Sequence, residues 1–395
     1  MHILQPSQKV ITQRTSMVRP VSSFRDMAQR RLPGLLFHYI DGGAYGEVTL
    51  RRNIEDMEAI ELRQRVLVDV SKLDTGVTLL GRHWSMPVGL GPVGMAGMYA
   101  RRGEAQAARA AADANVPFTL STVSTCDVSE VQKVSIAPIW YQLYFLKDRP
   151  FIGELLARVK AAGVSVLVLT VDLPLSAARY RDLWSGMSTP RGFRSAAQRA
   201  WQGLTHPRWL WDVYFRGRPH AFGNIASAVE GNALGNFQTW VASNFDPSVS
   251  WRDIAWVRQH WNGKLIIKGV LDHEDARECL RHDVDGIVVS NHGGRQLDGV
   301  PSTVVALPPI VEAVSGRVPI LCDGGIRSGL DVLRVMALGA DACLLGRSWA
   351  YALAAQGGSG VSEMLETVRS ELALAMSLTG CPDIAAASRE LLVVR

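Results

Sequence analysis

The chain has 395 residues, of which 47% are hydrophobic, with a formal net charge of +5 and a pI near 9.0. This is ample core material, and despite a mean hydropathy of +0.07 no apolar run reaches the roughly 20 residues that would span a bilayer. The mild positive charge favours anionic partners such as phosphates, carboxylates or acidic lipid, and no zinc-finger or other nucleic-acid motif accompanies it, so nucleic acid is not expected.

Residues 1–20 read as a polar, poorly ordered leader without the apolar stretch of a signal peptide. Residues 21–395 read as one domain. Its N-terminal part, 24–62, is helical: Ser22 and Ser23 are expected to cap a helix from Phe24 to Arg31, and Pro33 to begin the next. From Met86 onward eight short apolar runs follow: Met86–Gly94, Phe118–Thr122, Ile139–Tyr144, Ser165–Asp172, Leu265–Val270, Gly286–Gly293, Val318–Gly325 and Ala342–Gly346. They are rich in Val, Ile and Leu without strict alternation, as strands buried on both faces are. Amphipathic stretches lie between most of them: Gly103–Ala114, Phe151–Ala162, Glu274–His282, Ser302–Val314 and Gly329–Leu338. Eight alternating units predict a (β/α)8 barrel of the TIM type. The rhythm breaks once, at a long insert over 173–264, and residues 360–395 form a helical tail. Cys126, Cys279, Cys322, Cys343 and Cys381 are scattered, odd in number and without a CxxC pair, so neither a disulfide framework nor a metal site is expected, and a reducing cytosol fits.

In such a barrel the active site lies at the C-terminal ends of the strands, and polar residues or glycines close every run here. They are Gly91-Pro92-Val93-Gly94, Ser121-Thr122, Gln142 with Tyr144, Thr170-Val171-Asp172, Lys268-Gly269, Ser290-Asn291-His292-Gly293-Gly294-Arg295, Asp323-Gly324-Gly325-Ile326-Arg327 and Gly346-Arg347. Glycine pairs let backbone N–H groups approach an anion, and arginine forks suit phosphate. Either feature alone reads as a turn or a surface arginine; together, after the seventh and eighth strands, they favour a phosphate site. Lys268 ends the apolar run LIIK and belongs in the barrel mouth, where it forms a Schiff base or holds negative charge on a bound ring. Asp172 reads as a helix cap or as a functional carboxylate, and Pro174 argues against a cap alone. His292, flanked by glycines and followed by Arg295, reads as functional.

The segments SNHGGRQLDG (290–299), DGGIRSGLDVLRVMALGAD (323–341), LLGR (344–347), QLY (142–144) and LTVD (169–172) resemble the FMN-dependent α-hydroxy acid dehydrogenase/oxidase family from about Phe24 to the C-terminus. Within it, LPGLLFHYIDGGAYGEVTLRRN (32–53), PVGMAGMYARRGE (92–104) and ARYRDLWSGM (178–187) look most like the bacterial membrane-associated L-lactate dehydrogenases, with mandelate or another 2-hydroxy acid dehydrogenase, or an oxygen-using oxidase, as alternatives. The resemblance implies oxidation of an L-2-hydroxy acid, L-lactate first, with FMN passing electrons to quinone. It implies His292 as base and Asp172 as its partner, with Arg295 and Arg179 on the substrate carboxylate and Tyr39 and Tyr144 on the carboxylate and hydroxyl. Lys268 then stabilises the reduced ring. Pro92, Val93, Gly94, Ser121, Gln142 and Thr170 line the isoalloxazine, Ser290 and Asp323 join the FMN site, and Gly325, Arg327, Gly346 and Arg347 hold the phosphate. Gly94 resembles the dehydrogenases, since oxidases of the family often carry alanine there. A homo-oligomer, commonly a tetramer, is also implied.

The insert mixes Trp184, Phe193, Trp201, Trp209, Trp211, Tyr214 and Phe215 with Arg181, Arg191, Arg194, Arg199, Arg208, Arg216 and Arg218. Such a mixture suits a membrane interface, and the alternative is an aromatic lid packed on its own barrel. Residues 181–220 are therefore expected to form a peripheral membrane surface, at the cytoplasmic face of the inner membrane.

Overall fold

Eight parallel strands carry the fold of the computed structural model, which describes residues 19–188, 192–226 and 237–393. They are β1 (Val88–Leu90), β2 (Thr119–Ser121), β3 (Trp140–Leu143), β4 (Val166–Thr170), β5 (Lys264–Val270), β6 (Gly286–Val289), β7 (Ile320–Asp323) and β8 (Ala342–Leu345). Each pairs with the next in parallel from β2 to β8, and β8 pairs with β1. The ring is drawn shut where Leu90 bridges Phe118 and its N–H donates to the Pro117 carbonyl at 2.8 Å. The predicted TIM barrel is present, with every predicted run supplying one strand.

The strands are buried along most of their length, as in Val166-Leu167-Val168-Leu169-Thr170. Each such aliphatic side chain contributes about 1.5–3 kcal/mol by leaving water, so the strand sequences must be apolar on both faces. Helices follow the strands as an outer layer, among them Gly103–Asp113, Arg149–Ala161, His273–Cys279, Thr303–Val314 and Gly329–Ala337. Several start at a capping side chain: Asp148 accepts from Phe151 N, Asp272 from Glu274 N, and Ser328 Oγ from Asp331 N. Such caps are worth about 1 kcal/mol each.

Three N-terminal helices, Val21–Arg31, Gly34–Asp41 and Val48–Glu58, lie against the barrel, and the C-terminal tail is the helix Gly358–Thr379 followed by two short turns. The first helix corrects the expected cap. It begins at Val21 with Pro20 in the cap position and no side-chain cap, so Ser22 and Ser23 lie inside its first turn. Proline's fixed φ pre-forms that start, and its ring needs no partner for an N–H. The sequence reading also overlooked a hairpin, Val77–Leu79 with Arg82–Trp84, and the helix Val128–Val134 capped by Asp127. The expected leader falls almost wholly at 1–18, outside the described residues. All five cysteines are free and buried.

Candidate active site

A cleft with about 1200 Å³ of atom-free space, partly open to solvent, lies at the C-terminal ends of the strands. It is lined by Tyr39, Pro92, Val93, Gly94, Ser121, Tyr144, Thr170, Arg179, Lys268, His292, Arg295, Asp323, Gly325, Arg327, Gly346 and Arg347. The remaining expected site residues stand directly behind this lining. Asp172 bonds His292, Gln142 bonds Ser121, and Ser290 bonds Lys268.

His292 stands just past β6 with φ +56°, and Gly293 and Gly294 continue the left-handed path at +63° and +72°. For histidine that backbone costs on the order of 1–3 kcal/mol, offset in part where its N–H donates to Ser290 Oγ at 3.0 Å. The turn aims the ring at Asp172, with Nδ1 2.8 Å from Oδ1. That contact identifies Nδ1 as the protonated nitrogen of the neutral ring, which leaves Nε2 as the basic one. Burial pushes the His292 pKa below the usual imidazole range, with Asp172 pulling the other way. Burial would raise Asp172, but His292 and Lys268 hold it below the ordinary carboxylate value. The pair can thus take a proton on the ring and hold the resulting charge against a carboxylate. Asp172 comes this close to β5 because Gly269 (φ +112°) has no side chain: a Cβ there would lie 2.6 Å from Asp172 Cβ.

Lys268 is 4% exposed. Its Nζ donates to Ser290 Oγ at 2.7 Å and pairs with Asp323 Oδ2 at 2.9 Å. Burial alone would lower its pKa, but Asp323 and Asp172 outweigh it and the net shift is upward. The amine therefore stays an ammonium, and the Schiff-base reading loses its nucleophile. A fixed positive charge is what remains to offer.

Two guanidiniums line the same cleft as His292. Arg179, 8% exposed, donates from Nε to the Arg295 carbonyl at 3.1 Å and from Nη2 to Gln296 Oε1 at 3.1 Å. Arg295 Nη1 donates to the carbonyls of Tyr39 and Gly42 at 2.6 and 2.9 Å, and its guanidinium lies 4.9 Å from the Tyr39 ring centre. Among the described residues neither forms an ion pair. Burial, then Arg295, pushes the Arg179 pKa down. A buried and a half-buried guanidinium, each hydrogen-bonded only to neutral groups, can together receive a carboxylate. The Tyr144 and Phe245 rings lie 5.0 Å apart, tilted by 37°, and Leu173, Val241 and Phe245 add apolar wall nearby.

Gly325, Arg327, Gly346 and Arg347, the residues expected at a phosphate, line the same cleft. Gly325 (φ +81°) packs so closely on the Val48–Glu58 helix that a Cβ would collide with the Asn53 carbonyl, whereas one at Gly346 would meet nothing. The Arg327 guanidinium lies 5.5 Å from the Tyr351 ring centre and has no hydrogen bond or ion pair among the described residues. Arg347 is differently disposed: Nε, Nη1 and Nη2 donate to the carbonyls of Ile40, Gly293 and Gly42 at 2.8–2.9 Å. Burial pushes its pKa down to about 9.

The residues present fit FMN. Gln142 Nε2, Thr170 Oγ1 and Asp323 Oδ1 are buried with no hydrogen-bond partner among the described residues, a costly condition unless a polar ligand meets them. Thr170 and Asp323 line the same cleft as His292, and Gln142 bonds Ser121 of that lining, so a polar ring system bound there could meet them. At Gly94 a Cβ would lie 2.9 Å from Val123 Cγ2 and 3.5 Å from the Tyr39 hydroxyl, so alanine there would press on the cleft lining.

Two contributors were not legible in the sequence. Gln296 Nε2 donates to the carbonyls of Asp172 and Leu175 and so ties the end of β4 to Arg179. Asp298 accepts from Val48 N and Thr49 N and caps a helix some 250 residues earlier in the chain. Both sit in SNHGGRQLDG, and their place in a motif was the only available signal.

A family model described as FMN-dependent dehydrogenase matches residues 28–394. An L-lactate dehydrogenase of Ectopseudomonas mendocina is 55% identical over 94% of this chain and 98% of its own length. One from Caulobacter vibrioides is 54% identical over 96% and 98%. Among solved structures, the monotopic membrane protein (S)-mandelate dehydrogenase superposes with a TM-score of 0.89 at 33% identity, covering 95% of this chain and 99% of that one. A mandelate oxidase gives a TM-score of 0.80 at 34% identity, covering 95% and 98%.

Proposed function

The chain belongs to the FMN-dependent dehydrogenase family and acts on an L-2-hydroxy acid with FMN as cofactor, and from that premise we propose that its substrate is L-lactate and its product pyruvate. The observation that carries the mechanistic reading is the His292–Asp172 contact beside the paired guanidiniums of Arg179 and Arg295. The relatives named L-lactate dehydrogenase support the choice of substrate.

Converting lactate to pyruvate removes two protons and two electrons from the C2–OH unit. Bound FMN supplies the two-electron acceptor. Arg179 and Arg295 hold the carboxylate, with Tyr39 and Tyr144 beside it on the carboxylate and hydroxyl. His292 Nε2 takes the hydroxyl proton, and Asp172 stabilises the imidazolium that forms. Pro92, Val93, Gly94, Ser121, Gln142, Thr170 and Ser290 are the residues proposed around the ring, and Asp323 at the ribityl chain. Gly325, Arg327, Gly346 and Arg347 take the phosphate. Lys268, kept charged by Asp323, offsets negative charge on the ring. Its ammonium also disfavours a lysine aldolase. Leu173, Val241, Phe245 and Tyr144 give the substrate methyl an apolar wall. The (S)-mandelate dehydrogenase neighbour keeps mandelate as the second reading.

The protein is further proposed to sit peripherally on the cytoplasmic face of the inner membrane, as a homo-oligomer, and to pass its electrons to quinone. No described helix is long and apolar enough to cross a membrane. Within 181–220, Trp184, Phe193, Trp201 and Trp211 are 64–90% exposed, and arginines are interleaved. Trp209 does not belong to that surface: it is buried and donates from Nε1 to the Met98 carbonyl at 2.8 Å.

The deciding test is an anaerobic visible spectrum of the holoenzyme. Rapid bleaching of the flavin band by L-lactate and not D-lactate is expected. Bleaching only by mandelate would replace the substrate and keep the chemistry, and no bleaching by either acid would reject the proposal.

A further inference from the structure

The Gly34–Asp41 helix ends where four arginines converge. The last carbonyls of a helix lack intrahelical partners. Here Arg295 takes those of Tyr39 and Gly42, and Arg347 those of Ile40 and Gly42. The Asp41 carboxylate, 6% exposed, takes the other two arginines. Arg25 Nε and Nη2 donate to it at 2.6 and 2.9 Å, Arg181 Nη2 at 2.7 Å, and the Tyr351 hydroxyl at 2.7 Å. Burial would raise the Asp41 pKa, but these partners hold it far below the carboxylate range.

Arg25 belongs to the first helix, Tyr351 to the helix after β8, and Arg181 to the helix Tyr180–Ser185 that opens the insert. Arg181 does not line the cleft. Its guanidinium turns away to meet Asp41, His38 Nδ1 (Nη2 at 2.9 Å, Nε at 3.2 Å) and Glu47 Oε1 (Nη1 at 3.5 Å). A ring nitrogen can accept from a guanidinium only when unprotonated, and burial together with Arg181 pushes the His38 pKa down. The arginine stem crosses Gly42, where a Cβ would lie 3.4 Å from Arg181 Cβ.

Two residues earlier, Arg179 hydrogen-bonds only neutral groups, and, after burial, the neighbouring cation Arg295 pushes its pKa down more than the buried Asp182 raises it. A buried guanidinium beside a second cation is repelled, and Asp182 offsets this only in part, so a further contact is needed to hold the chain at 179–181. We propose that Arg181 is a positioning residue: by clasping Asp41 and His38 it fastens the first turn of the insert to the end of the Gly34–Asp41 helix, and so keeps Arg179 beside Arg295 for the substrate carboxylate. This rests on reading Arg179 as a carboxylate ligand.

The test compares full-length, FMN-loaded Arg181→Gln, Arg179→Gln and the double variant. Steady-state constants for L-lactate are measured with a soluble dye, pyruvate affinity from its perturbation of the flavin spectrum, and FMN retention and Tm alongside. Arg181→Gln raises KM and weakens pyruvate by about 10-fold, leaving kcat within about threefold and FMN retention unchanged, because a lost positioning contact removes binding that ground and transition states share. Arg179→Gln is at least as impaired, and the double variant is no worse than Arg179→Gln, since residues acting through one another are not additive. Arg181→Lys recovers part of the loss. Wild-type KM in Arg181→Gln, or a double variant that multiplies the two effects, overturns the proposal. So does a KM change matched by losses of FMN and Tm, the mark of general loosening. If Arg179→Gln itself leaves KM and pyruvate binding unchanged, the carboxylate reading falls and takes the clasp with it; an impaired Arg179→Gln beside a normal Arg181→Gln removes the clasp alone.

Discussion

The first turn of the insert and its middle use the same residue types, yet the structure treats them oppositely. Arg179 is 8% exposed and committed to the Arg295 carbonyl and Gln296, while Arg181 is bound to Asp41. A few turns later, Phe193 is 90% and Trp201 68% exposed. The far end returns to the first pattern, with Val241 and Phe245 buried in the cleft wall. Arginine and aromatic content is therefore not a property of the insert as a whole. At its ends these side chains meet partners fixed by the barrel. In its middle most of them, Trp209 excepted, meet solvent, which is costly for so many rings unless another surface covers them.

The contrast can be broken or sharpened by substitution, with the barrel as reference. The largest effect is expected there: His292→Gln lowers kcat by about 10²–10⁴-fold, the usual contribution of a general base, with FMN retained. A stopped-flow record of flavin reduction checks this. Next comes the pinned end of the insert. Arg179→Gln removes a charge-assisted pair worth about 1.5–3 kcal/mol, so kcat/KM falls by about 10–150-fold, read in a soluble-dye assay. The middle gives the opposite signature. A Trp184, Phe193 and Trp201 to Ser triple variant keeps soluble-dye kcat/KM within about twofold but loses most binding to anionic vesicles in a flotation assay. A triple variant that floats like wild type would return the middle to a plain lid.

The smallest expected change is in pH dependence. Burial depresses the His292 pKa, so the base form persists on acidification. The acid limb of kcat/KM should lie below the ordinary imidazole value of about 6.5. Asp172 pulls that pKa upward. Asp172→Asn therefore moves the limb lower still, while the plateau rate drops because the imidazolium loses its counter-charge. A limb that moves upward in Asp172→Asn would contradict the assigned pairing.

Strand order and the end of the barrel that carries chemistry were legible because both depend on local pattern. A strand buried on both faces must be apolar, as Val166–Thr170 is, and its polar terminus must then face the cleft. The glycines and arginines after β7 and β8 were legible for the same reason. Ser22 and Ser23 misled because a proline start competes locally with a serine cap, and the Val77–Leu79 hairpin is too short to show a period.

Contacts between distant segments carried no such signal. His292 meets Asp172 across 120 residues, and Arg295 reaches the Tyr39 carbonyl across 256. Arg347, expected at the phosphate, also donates to three backbone carbonyls, two of them in the N-terminal region. Nothing in GR at a strand end distinguishes those acceptors from a ligand oxygen. The sequence by itself determined the barrel, its functional end and the residue types offered there, since these follow from burial and period along the chain. Only the tertiary structure decided which guanidinium faces the cleft and which is held by Asp41, because hydrogen-bond partners are set by geometry between segments that are far apart in sequence.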